Sequence, residues 1–240
     1  MMNVKIKKAM LLAAGLGTRL RPITYKIPKP LLPFGSASLI DHQLGYLKKF
    51  GIEEIAINLH HLGNLIRDHV GNGRKYDLEI RYFDEPIILG TGGGIKNCES
   101  FFGETPFVSL NSDVLIAANL GDVIDRHLKT KAAATLVVKP IGESLGFTPL
   151  EIDENDRVAA FGRGSHLYTG LQVLSVDILK ILPPTNKPSC LVNEGYKKIL
   201  KQGGRIDAFL YNGYWNDLGT IDRYEQARKD ISEGLFSLEV

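Results

Sequence analysis

Apolar positions along this chain switch repeatedly between short continuous runs and helical spacing. Residues 10–14 form an unbroken apolar run of strand length. After a proline-rich loop, Leu39, Ile40, Leu44, Leu47 and Phe50 recur on one helical face, with Gly51 as the stop. The same rhythm predicts strands over 54–59, 78–83, 106–110 and 133–139, and helices over 62–70, 91–102 and 120–129. Alternation of this kind predicts right-handed βαβ units and an α/β fold with a mainly parallel central sheet flanked by helices. From residue 150 the rhythm changes. Two short apolar runs, 150–153 and 158–161, flank Glu154-Asn155-Asp156-Arg157 as in a hairpin. A strand over 171–176, a short helix over 177–182, a helix over 193–202, an extended stretch over 206–215 and an amphipathic helix from Thr220 to about residue 232 complete a small β-rich subregion. No internal repeat or low-complexity linker interrupts the chain, so a single domain over 1–240 is expected.

Composition narrows the picture without deciding it. The 240 residues, 44% hydrophobic and 23% charged, are ordinary for a globular protein with a sizeable core. A net charge of +2 gives no mandate for nucleic acid or an anionic membrane surface, so neither is expected as a partner. Two cysteines, Cys98 and Cys190, argue against a disulfide framework and a cysteine-rich zinc site. No apolar run approaches a membrane span, and no secretory signal is recognisable, so a cytoplasmic protein is expected.

The chemistry gathers behind the first strand. Gly15 and Gly17 lie in a turn that lets backbone N–H groups approach a ligand, and Arg19, Arg21 and Lys29 add positive charge. No acidic residue precedes Asp41, so that charge is not neutralised locally. Such a loop suits a polyphosphate. It is neither a dinucleotide fingerprint, since Leu20 stands where a third glycine is needed, nor a P-loop, since no Gly-Lys pair occurs. A second glycine cluster, Gly90 to Gly94, follows Glu85, and its backbone could read the edge of a planar base. Asp113 and Asp217 each follow a strand-like run, and two carboxylates so placed can hold one Mg²⁺ whose remaining ligands are water and phosphate. Residues 15–21, 85–94 and 111–113 all follow strands, so they are expected to converge on one rim of the sheet. His60-His61 points to opposite faces of its strand and is a poor joint metal site.

Read together, Gly15-Leu16-Gly17-Thr18-Arg19-Leu20-Arg21-Pro22, Pro28-Lys29-Pro30-Leu31-Leu32-Pro33, Leu89-Gly90-Thr91-Gly92-Gly93, Asn111-Ser112-Asp113 and Trp215-Asn216-Asp217-Leu218-Gly219-Thr220 resemble the sugar-1-phosphate nucleotidyltransferases. The resemblance covers nearly the whole chain. It implies a Rossmann-like nucleotidyltransferase fold and nucleotidyl transfer from an NTP to a sugar 1-phosphate, giving NDP-sugar and pyrophosphate. On that resemblance Ala13, Ala14, Gly15, Gly17, Thr18, Arg19, Glu85 and Gly92 bind the nucleotide. Asn111, Gly170 and Glu194 face the sugar, Arg19, Lys29, Asp113 and Asp217 are catalytic, and Asp113 and Asp217 hold Mg²⁺. Residues 1–140 are then a nucleotide-binding half and 141–240 a sugar-binding half, without the C-terminal β-helix of longer members.

Short N-acetylmuramate-1-phosphate uridylyltransferases and mannose- or heptose-1-phosphate guanylyltransferases are the most similar branches, so UTP or GTP is the expected nucleotide. Two departures stand out. Ser112 replaces the usual glycine before the first metal-type aspartate, and Ala160-Phe161-Gly162-Arg163-Gly164 lacks the lysine that meets the sugar phosphate in many members, leaving Arg163 as the basic residue nearby. They motivate two alternatives: a non-catalytic regulatory paralogue that binds nucleotide or NDP-sugar, and a cytidylyltransferase acting on a phospho-alcohol.

Overall fold

The computed structural model describes residues 5–142, 146–185 and 187–236. The chain has a mixed α/β fold built on a large central sheet flanked by helices, as the alternation predicts. It divides into two compact units that interleave along the sequence. The first gathers Lys7–Ile88, Leu110–Ala117 and the chain from Tyr214 onward; the second consists chiefly of Leu89–Ser109 and Ala118–Gly213.

In the first unit, strand Lys8–Leu12 lies parallel to Glu54–Leu59, which lies parallel to Glu79–Asp84. Ala9, Met10 and Leu11 are wholly buried, which is why this stretch reads as an unbroken apolar run. The strand ends at Leu12, two residues earlier than the apolar run suggests. The Ala13 N–H leaves the ladder and donates to Asn58 Oδ1 at 2.8 Å. Helix Leu39–Lys49 buries Leu39, Ile40, Leu44 and Leu47, and a Ser38/Asp41 capping box opens it. Burial alone would raise the Asp41 carboxyl, but hydrogen bonds from Ser38, Tyr76 and His69 outweigh it and hold the group well below the usual range. One hydrophobic cluster joins Leu20 and Leu32 of the glycine–proline loop to Leu39, Leu115, Leu218 and Tyr224. Distant parts of the sequence are thereby fixed to one another, at about 1.5–3 kcal/mol for each fully buried side chain.

In the second unit, Ala134–Pro140 pairs parallel with Ile206–Leu210 and antiparallel with His166–Leu174. The latter continues to Pro149–Ile152, which forms the expected hairpin with Val158–Phe161. The helix expected over 91–102 breaks at Cys98 into Gly90–Asn97 and Glu99–Phe102. The helix expected from 193 begins at Leu191 with a widened turn before Lys197–Lys201. The extended stretch over 206–215 divides. Ile206–Leu210 stays in this unit, and Trp215–Asp217 belongs to the first. No described helix is long and apolar enough to cross a membrane.

Asp207 is wholly buried in this unit and paired with Arg205 at 2.6 Å. His127 lies on the neighbouring helix with Nδ1 3.0 Å from Thr135 Oγ1. Burial pushes the His127 imidazole down to about 4, against the opposing pull of the Asp207 carboxylate. Its folded-state pKa is therefore below the ordinary value near 6.5, so acid protonates the unfolded chain first. Stability present above about pH 6.5 is lost as pH falls towards 4, by up to about 3 kcal/mol. Denaturant titrations at pH 7 and pH 4.5 should show a larger acid loss in the wild type than in His127→Gln, and an equal loss in both would remove His127 as the cause.

Candidate active site

The glycine loop leaves the first strand as coil through Ala13, Ala14, Gly15 and Gly17, then tightens into a single turn, Thr18–Leu20. Gly17 has a φ of 61°, and an added Cβ would sit 2.9 Å from Thr24 Cγ2. Thr24 Oγ1 donates to the Gly17 carbonyl at 2.8 Å, so the turn is held from below. Gly15 differs. It is exposed, and a Cβ there would meet nothing within 4 Å. The protein itself therefore has no steric need of Gly15, and a ligand approaching the backbone would supply one. Thr18 and Arg19 are exposed beside it.

Asn58 ties this loop to Glu85. Its Oδ1 accepts from Ala13 N–H, and its Nδ2 donates to Glu85 Oε1 at 2.7 Å. Glu85, expected to face a base, is 2% exposed, and its backbone is also fixed: its N–H donates to Leu59 O at 2.7 Å. His60 and His61 do not converge. Their ring nitrogens lie 2.6 Å from the Glu85 carbonyl and 2.7 Å from the Thr24 carbonyl, respectively.

Lys29 stands between Pro28 and Pro30 in a single turn, is 9% exposed, and donates through Nζ to Asp113 Oδ2 at 2.5 Å. Asp113 occupies the turn between strands Phe107–Asn111 and Val114–Ile116. Bonds from several elements hold that turn. Ser112 N–H donates to Leu12 O at 3.0 Å, and Gln43 Nε2 donates to the Asn111 and Val114 carbonyls at 3.2 and 3.1 Å. Asn111, expected at the sugar, thus has its carbonyl engaged by Gln43. Ser112 is 6% exposed, so its side chain packs inward.

Asp217 is brought to Asp113 by sheet pairing rather than by sequence. Trp215–Asp217 lies antiparallel to Val114–Ile116 with Asp217 opposite Val114, and Leu218 N–H donates to Asp113 O at 2.9 Å. Asp217 Oδ1 accepts from Gly219 N–H at 2.7 Å and lies 3.6 Å from Arg223 Nη1. Asp217 is therefore not the helix cap. That place belongs to Thr220, whose hydroxyl accepts from Arg223 N–H. A Cβ on Gly219 would overlap Asp217 Oδ1 and sit 2.7 Å from Arg19 Nη2, so the missing side chain lets the guanidinium lie beside this carboxylate. Burial, then the negative charge of Asp113, raises the Asp217 carboxyl against the pull of Lys29, the Gly219 N–H and Arg223.

Two like-charged, half-buried carboxylates with hard oxygen donors fit Mg²⁺. Among the described residues no group of three or more His, Cys, Asp or Glu gathers, so Asp113 and Asp217 are the carboxylates that would hold such an ion.

The remaining expected residues belong to the second unit. Gly92, Gly93 and Gly94 are buried rather than open. The Gly92 N–H donates to Ser189 O at 2.9 Å, and a Cβ on Gly92 would lie 2.8 Å from Ser189 Oγ, so Gly92 and Gly93 serve close packing against residues 187–191. Gly170 has a φ of 92° within a register shift between Tyr168 and Gln172. Glu194 Oε2 accepts from Cys190 N–H at 2.7 Å, capping the turn that carries it. Arg163 is exposed and paired with Glu151 at 2.8 Å. Sequence reasoning missed Asn58, Gln43 and Arg223. The first two had a signal, a polar residue on an otherwise apolar strand or helix face.

The nucleotidyl transferase family profile matches residues 8–234. The chain belongs to this family. As a nucleotidyl transferase it is 30% identical over 234 residues to a mannose-1-phosphate guanylyltransferase of Mycobacterium tuberculosis, covering 95% of this chain and 65% of that one. It is 29% identical to a D-glycero-alpha-D-manno-heptose 1-phosphate guanylyltransferase of Aneurinibacillus thermoaerophilus, covering 93% and 98% of the two chains. The nucleotidyl transferase thus spans less than two-thirds of the first relative and nearly all of the second. Its fold is shared with a putative glucose-1-phosphate thymidylyltransferase from Bacillus anthracis, at a TM-score of 0.81 and 22% identity over 92% of this chain and 94% of that one.

Proposed function

We propose that this nucleotidyl transferase joins an NTP to a sugar 1-phosphate with Mg²⁺, releasing pyrophosphate. The observation that carries the reading is the meeting of Arg19, Lys29, Asp113 and Asp217 beside an open glycine turn, in a chain whose relatives bear sugar-1-phosphate guanylyltransferase names. A phosphate oxygen of the sugar phosphate attacks the α-phosphorus, the α–β bridge bond breaks, and its electron pair leaves with pyrophosphate. The attacking phosphate is already ionised near neutral pH, so no strong base is needed; the task is to hold two anions together and to stabilise charge at the phosphorus. Open backbone at Gly15 and the Arg19 guanidinium grip the triphosphate, and Lys29 neutralises the oxygens where the two phosphates meet. Asp113 and Asp217 would hold Mg²⁺, which when bound supplies a Lewis acid and a template for the phosphate oxygens. The glycine loop is assigned the triphosphate, and Asn111, Gly170 and Glu194 the sugar. GTP or UTP with mannose, heptose or N-acetylmuramate 1-phosphate are the favoured pairs.

Pyrophosphate release from a matrix of NTPs and sugar 1-phosphates tests the reading. Turnover with at least one pair is expected. Folded protein that is silent with every pair would sink it, and activity confined to CTP with a phospho-alcohol would replace it.

A further inference from the structure

Each of the paired carboxylates already has a resident cation. Lys29 Nζ lies 2.5 Å from Asp113 Oδ2 with its side chain 10% exposed, and the flanking prolines Pro28 and Pro30 fix its backbone. Arg223 Nη1 lies 3.6 Å from Asp217 Oδ1, and its own N–H is anchored on Thr220 Oγ1 at 3.3 Å. With the Arg19 guanidinium beside Asp217, two acids thus face three cationic side chains, and their negative charge is already more than offset. A divalent cation arriving alone would leave this half-buried place with a net positive charge. Even at water-like dielectric, one unit charge within ~5 Å of a doubly charged ion weakens its binding by more than about tenfold. A triphosphate reverses the sign, because its oxygens offer Lys29 another partner.

We propose that Lys29 and Arg223 are built-in counter-ions that hold the Asp113–Asp217 pair against free divalent cations and yield it when a polyphosphate takes up their charge. This rests on the metal assignment made above. Cation and nucleotide binding are then linked reciprocally, each strengthening the other by the same factor. Arg223 acts through its ion pair with Asp217, and the polyphosphate draws it away by charge as it does Lys29.

The test is titration of Mn²⁺ into nucleotide-free protein, read by electron paramagnetic resonance, with thermal melting to confirm folding. Lys29→Met should bind Mn²⁺ about tenfold or more tightly than the wild type. Arg223→Met should bind it severalfold more tightly, less than Lys29→Met because its ion pair is longer. Binding that is unchanged or weaker in both overturns the proposal; tightening in Lys29→Met alone overturns the part given to Arg223. Should Lys29→Met fail to fold, Arg223→Met carries the test. Asp113→Asn separates the two layers of argument. It should abolish Mn²⁺ binding, and binding indifferent to it would overturn the metal assignment itself rather than the counter-ion role.

Discussion

Asp113→Asn is expected to fold and to release pyrophosphate at least ~10²-fold more slowly than the wild type, the scale of losing one charged partner of a transition state. The carboxylate sits in a turn whose shape is set by other groups. Gln43 holds the carbonyls on either side, Ser112 N–H is on Leu12, and Leu218 N–H is on the Asp113 carbonyl itself. Asparagine keeps all of those main-chain bonds and the side-chain volume, so the substitution removes charge and little else. Lys29 retains an oxygen to bond, and Asp217 is freed from a neighbouring negative charge. Lys29 nevertheless loses its counter-charge in a largely buried place, so the melting temperature should fall while the protein stays folded and the rate collapses. Pyrophosphate release beside a thermal melt checks both halves, and a near-wild-type rate would remove Asp113 from the chemistry.

The second large effect is expected at Gly219, which touches no substrate in the proposed mechanism. A methyl group there overlaps Asp217 Oδ1 and crowds the Arg19 guanidinium at 2.7–3.1 Å. Arg19 is the end of a flexible side chain and can retreat. Asp217 is less free, because its Oδ1 is bonded to the Gly219 N–H itself. Gly219→Ala should thus displace both the triphosphate grip and one metal-type carboxylate. A misplacement of ~1 Å in such a site costs on the order of 10²-fold in rate. A defect that extra Mn²⁺ or Mg²⁺ partly repairs is the expected signature. Unaltered turnover would show that the site absorbs the methyl group by a cheap shift.

Much of the fold was legible because local pattern and tertiary role agree. The run Ala9-Met10-Leu11 is a buried parallel strand, and Leu39, Ile40, Leu44 and Leu47 are the buried stripe of their helix. Failures fell where a side chain overrides the pattern or where pairing is distant. Asn58 pulls Ala13 out of the first strand, and Glu194 caps the widened turn that starts its helix two residues early. Nothing local to residues 206–217 says that Trp215–Asp217 pairs with Val114–Ile116. The site followed the same rule. Asp113 and Asp217 stood out because each sets a charge after a strand-like run, and Lys29 because it adds positive charge near the glycine turn with no acid before Asp41. The glycines near Gly92 gave an ambiguous signal. Small residues suit both an open backbone and a tight one, and here they are packed against residues 187–191.

The hydrophobic cluster that joins Leu20, Leu115, Leu218 and Tyr224 also sets a timetable. Asp217 emerges during synthesis about a hundred residues after Asp113, a delay of ~5–20 s at ordinary elongation rates. During that interval the nascent chain has its glycine loop, Lys29 and one carboxylate, but neither the strand nor the helix that delivers the second. On the proposed mechanism a ribosome-bound intermediate would carry the glycine loop without a completed centre until Trp215–Asp217 pairs with Val114–Ile116.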